Sequence, residues 1–271
     1  MSIVVSQSLT WVQGASYIGY DNLYLRMLAT VVANAEDTGQ TGALAVSWLT
    51  YSGGWQATGV GVKTLTVSFP LVGEDANSYG VYKHNLGTLG LTVKLQHSSD
   101  GVAWTDLIGS AKVPANDEAI FFIGATINAK FWRIHIAGLL AGETLIIGQA
   151  FIGPSLRVFA PPEAGFTPPN LGLNSDFITS RSDGGDFLGR SLIRKGSKSG
   201  FLITNVAAAW VRSDWLPLIK EVEKHPFYYG WDNVNHADEV AFCYTDGKIT
   251  VPRYESSLFF NVSLNFIALL E

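Results

Sequence analysis

Between Leu65 and Phe69 apolar and polar residues alternate, Leu65-Thr66-Val67-Ser68-Phe69, and the same period of two runs through 91–97 and 132–136. A period of two is that of a half-buried strand. Ser99-Asp100-Gly101 closes the second run and Ala137-Gly138 the third, both turn signals. Many short strands with regular turns predict a sandwich or barrel in the first half. In the second half one helix is predicted near 213–224. Trp215, Leu218, Ile219 and Val222 follow one apolar stripe, Ser213 or Asp214 can cap its start, and Pro226 ends it. Strands follow around 227–231, 239–244 and 248–252, with a hairpin turn at Thr245-Asp246-Gly247-Lys248. The last strand, 258–268, turns Val262, Leu264 and Phe266 one way and Asn261, Ser263 and Asn265 the other. Such a small neutral polar face suits a partner, a lumen or plain solvent.

Pro161, Pro162, Pro168 and Pro169 interrupt any helix or central strand. They divide the chain into residues 1–159, a linker 160–169 and residues 170–271. Hydrophobic residues make up 47% of the 271 and charged residues only 15%, which excludes a mainly disordered chain. The net charge of −5 argues against broad capture of nucleic acid. One cysteine rules out an intrachain disulfide and a Cys-based zinc site. The first residues do not read as a signal peptide, and no apolar stretch is long enough for a membrane helix. Charge this low, with 15 Phe, 10 Tyr and 8 Trp, fits either a plain β-domain or a chain that covers its surface with neighbours.

Five ordered pieces carry a family resemblance. They are Ser52-Gly53-Gly54-Trp55-Gln56-Ala57; the run 65–69; Val81-Tyr82-Lys83-His84-Asn85-Leu86-Gly87-Thr88-Leu89-Gly90; Leu95-Gln96-His97-Ser98-Ser99-Asp100-Gly101-Val102-Ala103-Trp104; and Phe131-Trp132-Arg133-Ile134. Together they resemble the discoidin (galactose-binding-like) β-sandwich, with Trp104 over the turn and Trp132 facing inward. The His84-Asn85-Leu86-Gly87 version is similar to that in tail proteins of long-tailed bacteriophages. Trp215-Leu216-Pro217-Leu218, Pro226-Phe227-Tyr228-Tyr229 and Asp238-Glu239-Val240-Ala241-Phe242 resemble distal and minor tail proteins. The order of the two parts departs from the common distal-tail order. The fold implied is mainly β: a discoidin-like β-sandwich, then a tail-tube-like β-barrel domain with one packed α-helix. The function implied is that of a structural subunit of a phage tail tip, in a ring joining the tail tube to the tip hub and adsorption apparatus. Its partners would be further copies, the tail tube protein, tail-tip hub proteins and a host-surface glycan, with DNA only as passing cargo and no membrane insertion. It would reside in the virion tail after assembly in the host cytoplasm. The alternative is a carbohydrate-binding module of a phage receptor-binding or adhesive protein; a cell-wall hydrolase ranks third.

For sugar binding the candidates are Trp48, Tyr51, Trp55, Tyr79 and His84, aromatic or amide-like groups able to stack on a sugar face or bond its hydroxyls. Trp55 and Trp104 also read as core or loop plugs, and His84 and Asn85 as groups that bond their own loop. Arg190, Arg194, Lys195 and Lys198 form a basic hairpin suited to ring contacts or a lumen. No catalytic residue, metal ligand set or cofactor motif is identified. Asp183-Gly184-Gly185-Asp186 lacks the oxygens of a calcium loop, Gly196-Ser197-Lys198-Ser199 lacks the leading Gly of a phosphate loop, and Cys243 reads as a buried inert thiol.

Overall fold

The computed structural model describes residues 4–6, 15–48, 53–158, 166–169, 171, 176–194, 196–237, 239–245, 247–256 and 258–269. The strands begin with β1 (Val4–Ser6), β2 (Ser16–Gly19), β3 (Thr30–Ala33), β4 (Trp55–Thr58), β5 (Gly61–Ser68) and β6 (Glu74–His84). Then come β7 (Thr92–Ser98), β8 (Thr105–Asp106), β9 (Ile120–Ala129), β10 (Phe131–Leu139), β11 (Thr144–Gly153) and β12 (Ser155–Val158). The second half adds β13 (Asp176–Arg181), β14 (Phe187–Arg194), β15 (Ser197–Ala207), β16 (Phe227–Gly230), β17 (Val240–Thr245), β18 (Arg253–Ser256) and β19 (Phe259–Leu269).

The first half is the expected sandwich. One sheet has the order β1-β9-β6-β11-β4 and the other β3-β5-β10-β7-β8. The three alternating runs become β5, β7 and β10, in register with Trp132 opposite Val67 on one side and His97 on the other. Their inward residues Leu65, Val67, Leu95, Trp132 and Ile134 meet Tyr79, Val81, Phe122 and Ile147 of the facing sheet in a closed core. Trp132 is fully buried and donates its indole N–H to the Glu74 carbonyl at 3.2 Å. The Ser98–Gly101 turn also forms. The Ser98 hydroxyl accepts from the Asp100 and Gly101 N–H groups, and the Asp100 carboxylate accepts from those of Val102 and Ala103. These amides hold the Asp100 carboxyl below its usual range. Trp104 lies under the Arg133 guanidinium, 3.9 Å from its ring centre.

A third sheet has the order β12-β2-β16-β17-β19-β15, with β18 also on β19. This corrects the barrel expectation: the sheet is open, ending at β12 on one side and β15 on the other. Layers cover both faces of its central strands. Alternate residues Ile18, Phe227, Tyr229, Ala241 and Cys243 pack toward the helix, against Val211, Trp215, Leu218 and Val222. Their neighbours Tyr17, Tyr228, Val240 and Phe242 pack toward the sandwich, against Tyr82, Phe121, Ile123 and Phe151. Burial on both faces is why Phe227-Tyr228-Tyr229 and Val240-Ala241-Phe242-Cys243 read as continuous apolar runs. Two strands of this sheet, β2 and β12, come from residues before the Pro-rich stretch. Residues 159–165 lie outside the described ones.

The helix starts earlier than its apolar stripe suggests. It runs through Ala208–Trp210, a wider π turn Val211–Trp215, and Leu216–Val222. Ser213 is not a cap; its hydroxyl donates back to the Ala209 carbonyl at 3.1 Å. Pro217 has no N–H to continue a regular ladder, and it sits directly after the π turn. The strand expected at 248–252 lies further on, as β18. Asp246 of the expected hairpin turn is outside the described residues, and Gly247 has the positive φ, 70°, that such a turn uses.

Candidate functional site

The five sugar-binding candidates do not converge. Trp55 and Tyr79 are fully buried in the sandwich core. The Trp55 indole N–H donates to the Ala35 carbonyl at 2.8 Å, and the Tyr79 hydroxyl to that of Ser110 at 3.0 Å. Their ring faces are occupied by the protein. Tyr51 lies outside the described residues.

His84 lies beneath the loop that follows β6. Its Nδ1 accepts from the Leu86 N–H at 3.2 Å, which places the ring proton on Nε2. Asn85 donates to the Thr144 carbonyl and accepts from the Ile146 N–H, each at 2.8 Å. Thr88 bonds Asp117 through its N–H and its hydroxyl. Gly87 is required by close approach, since a Cβ there would sit 2.3 Å from Asn116 backbone atoms. The His-Asn-Leu-Gly segment is thus a bolt between loops. Burial pushes the His84 pKa down to about 4, against smaller upward effects of the Glu118 backbone and Asp117. A depressed histidine pKa means that the unfolded chain binds the proton more readily. Its stabilising effect is therefore complete above the unfolded value near 6.5 and is lost as pH falls from there through about 4. The full effect is on the order of 3 kcal/mol. His84→Asn, which keeps a side-chain acceptor, is expected to flatten the fall in urea midpoint over this window; an unchanged pH profile contradicts the assignment.

Trp48 is different. It follows the short helix Gly42–Ala45, its side chain is 47% exposed, and its φ is +57°, a strained conformation for so bulky a residue. It stands on the rim of an open cleft of about 410 Å³ formed where the third sheet meets the end of the helix. Phe242 of β17 and Val222 give the cleft an apolar lining, and Phe242 is fixed by stacking on Tyr82 with ring centres 4.8 Å apart. Tyr244 and Thr245 continue along β17. Glu223, Lys224, His225 and Pro226 supply another wall, where the chain leaves the helix, and Leu269 also lines the cleft. Thr245 ties the two walls together by donating its hydroxyl to the Val222 carbonyl at 3.3 Å. Lys224 is paired with Glu221 at 3.5 Å.

The cleft thus joins two aromatic side chains, Trp48 and Tyr244, to a carboxylate, an ammonium and a hydroxyl. Its size is that of a small-molecule site, and apolar and polar groups both line it. One carboxylate, Glu223, lines it among the described residues, whereas glycoside hydrolysis uses two across the bond. Tyr244, Glu223, Lys224 and His225 escaped the sequence reading because nothing local links them to Trp48; only the layering of the sheet on the sandwich does. The thiol of Cys243 faces the helix side, fully buried, with its pKa raised by burial. Among the described residues no group of His, Cys, Asp and Glu is placed to hold a metal ion, and no helix is long and apolar enough to cross a membrane.

The basic residues fall on two elements. Arg190 is exposed on β14, its Nε donating to the Thr179 hydroxyl at 3.3 Å. Lys198 is exposed on β15. The Arg194 side chain and the whole of Lys195 are outside the described residues. Asp183 and Asp186 belong to the β13–β14 turn, where Ser182 and Asp186 bond each other.

No family model matches the chain, and no curated protein matches it. Among solved structures, about half of the chain is similar to three sugar-related proteins. The Ruminococcus gnavus GH29 fucosidase in complex with fucose matches at 12% identity over 50% of this chain and 27% of its own, with a TM-score of 0.42. CpGH89CBM32-6 from Clostridium perfringens matches at 18% identity over 49% of this chain and 98% of its own, with a TM-score of 0.39. The chitosan-binding module 1 of a Paenibacillus sp. IK-5 chitosanase/glucanase matches at 14% identity over 49% and 98%, with a TM-score of 0.38.

Proposed function

We propose that this chain is a non-catalytic carbohydrate-binding protein whose saccharide site is the Trp48 cleft. The observation that carries the proposal is a half-exposed, backbone-strained tryptophan on the rim of a cleft that also holds Tyr244 and the polar groups of Glu223, Lys224 and Thr245. An indole face stacks on the apolar face of a sugar ring, and the edge groups bond its hydroxyls. The bolted loop at 84–88 takes no part. The full chain is expected to bind at least one family on a glycan array; a chain that binds none of the saccharides overturns the reading.

The exposed β13–β14 hairpin favours a second reading, a structural subunit of an assembly, for which the sequence resemblance names a bacteriophage tail tip. In that reading the protein sits in the virion tail as a ring between tube and hub, and the cleft faces host glycan. The sandwich then faces outward, and the third sheet, which takes β2 and β12 from residues 1–159, assembles. Localisation to purified tails is the expected result of immunogold labelling on virions; unlabelled tails contradict it.

A further inference from the structure

The β13–β14 hairpin stands apart from the three packed sheets. Among the described residues its two strands pair only with each other, and the described side chains along it are mostly exposed, including Ile178 at 60%, Phe187 at 65% and Leu188 at 66%. An isolated two-stranded hairpin is at best marginally stable in water. Three large apolar side chains held in solvent add to the cost. The same chain carries the matching deficit. β15, 11 residues long, pairs with β19 on one side, and among the described residues no strand pairs with its other edge. An open edge of that length is a template for another strand.

Around that edge the third sheet extends past the sandwich. On β19 the sandwich-facing row changes from Leu269 and Ile267 to Asn265, Ser263 and Asn261, and Leu202 of β15, opposite Ser263, is 45% exposed. Asn265, Ser263, Asn261 and Leu202 are neutral; among the described residues of this row the charge is Lys198, at the start of β15. β14 has eight residues, long enough to pair along most of β15.

We propose that the β13–β14 hairpin is an assembly arm that adds to the β15 edge of a second copy of this chain. The arm gains a third strand and cover for Phe187 and Leu188; the β15 edge gains a pairing strand. Arm and edge are different surfaces of one molecule, so the contact is head-to-tail and repeats from copy to copy until it closes. The inference deepens the assembly reading and rests on it; it is independent of what the cleft binds.

Two single-cysteine additions test it in the full chain, Leu188→Cys and Leu202→Cys. Both positions are exposed and the native Cys243 is buried. Under mild oxidation the mixture is expected to give the 188–202 mixed disulfide as its main cross-linked product. In mass photometry the unmodified chain is expected to form oligomers, which the pair F187D/L188D reduces to monomer with an unchanged melting temperature. Oligomers that persist in F187D/L188D, without the mixed disulfide, overturn the arm while the assembly reading stands. A monomer at every concentration overturns both.

Discussion

Gly80→Val is expected to lower stability by about 3 kcal/mol, seen as a reduced urea midpoint at unchanged slope. Gly80 lies at the centre of β6, between Phe121 of β9 and Phe151 of β11 in the neighbouring register positions. On the outer face of that sheet the missing side chain leaves a notch, and the Tyr228 ring of the third sheet fills it. A Cβ on Gly80 would sit 2.7 Å from the Tyr228 ring atoms. The ring cannot move away, because Phe121, Phe151 and Phe242 surround it at centroid distances of 5.8, 5.5 and 5.1 Å. The fit is reciprocal: Gly19, paired with Tyr228, would place a Cβ 2.5 Å from the Phe121 ring. Valine's better strand propensity offsets at most about 1 kcal/mol, so the clash decides the sign. An unchanged midpoint would mean that the sandwich and third sheet are not packed in this way.

Residues 1–159 produced alone are expected to aggregate or self-associate. In the full chain the outer face of the β1-β9-β6-β11-β4 sheet carries Tyr82, Phe121, Ile123 and Phe151, all buried against Tyr228, Val240 and Phe242. Removing the second half uncovers this face in one contiguous patch, a size of apolar surface that soluble monomers rarely expose. It also leaves β2 and β12 as a two-stranded remnant without β16. Sedimentation of the fragment beside the full chain measures the effect. A monomeric fragment with the melting temperature of the full chain would show that the two halves are independent despite their shared sheet.

The sandwich was readable because its strands are half-buried: β5, β7 and β10 each show one face to the core and one to solvent, so their sequences alternate. The third sheet was harder to read because β2, β16 and β17 are covered on both faces and show no period. Its strand order was illegible, since β2 finds β16 across more than 200 residues of chain. The helix start was misread for a local reason. Ala207 makes no side-chain cap, and a backbone partner, the Leu258 carbonyl, takes the Ala208 N–H instead. Ser213-Asp214, which looks like a cap, lies within the helix. Of the proposed site only Trp48 was legible, as an aromatic able to stack on a sugar in a loop of the sandwich the sequence resembles. The groups facing it, Glu223 to Pro226 and Tyr244, come from a helix end and a strand whose sequences signal nothing beyond their own structure.

Titration calorimetry of the full chain and of Trp48→Ala with the best saccharide from the array tests the central claim most directly. Trp48 is half-exposed and belongs to no core cluster, so its removal leaves the fold standing. The account predicts an affinity weakened on the order of 10-fold or more, with an unchanged melting temperature. Equal affinity in the two proteins would place the saccharide elsewhere and contradict it.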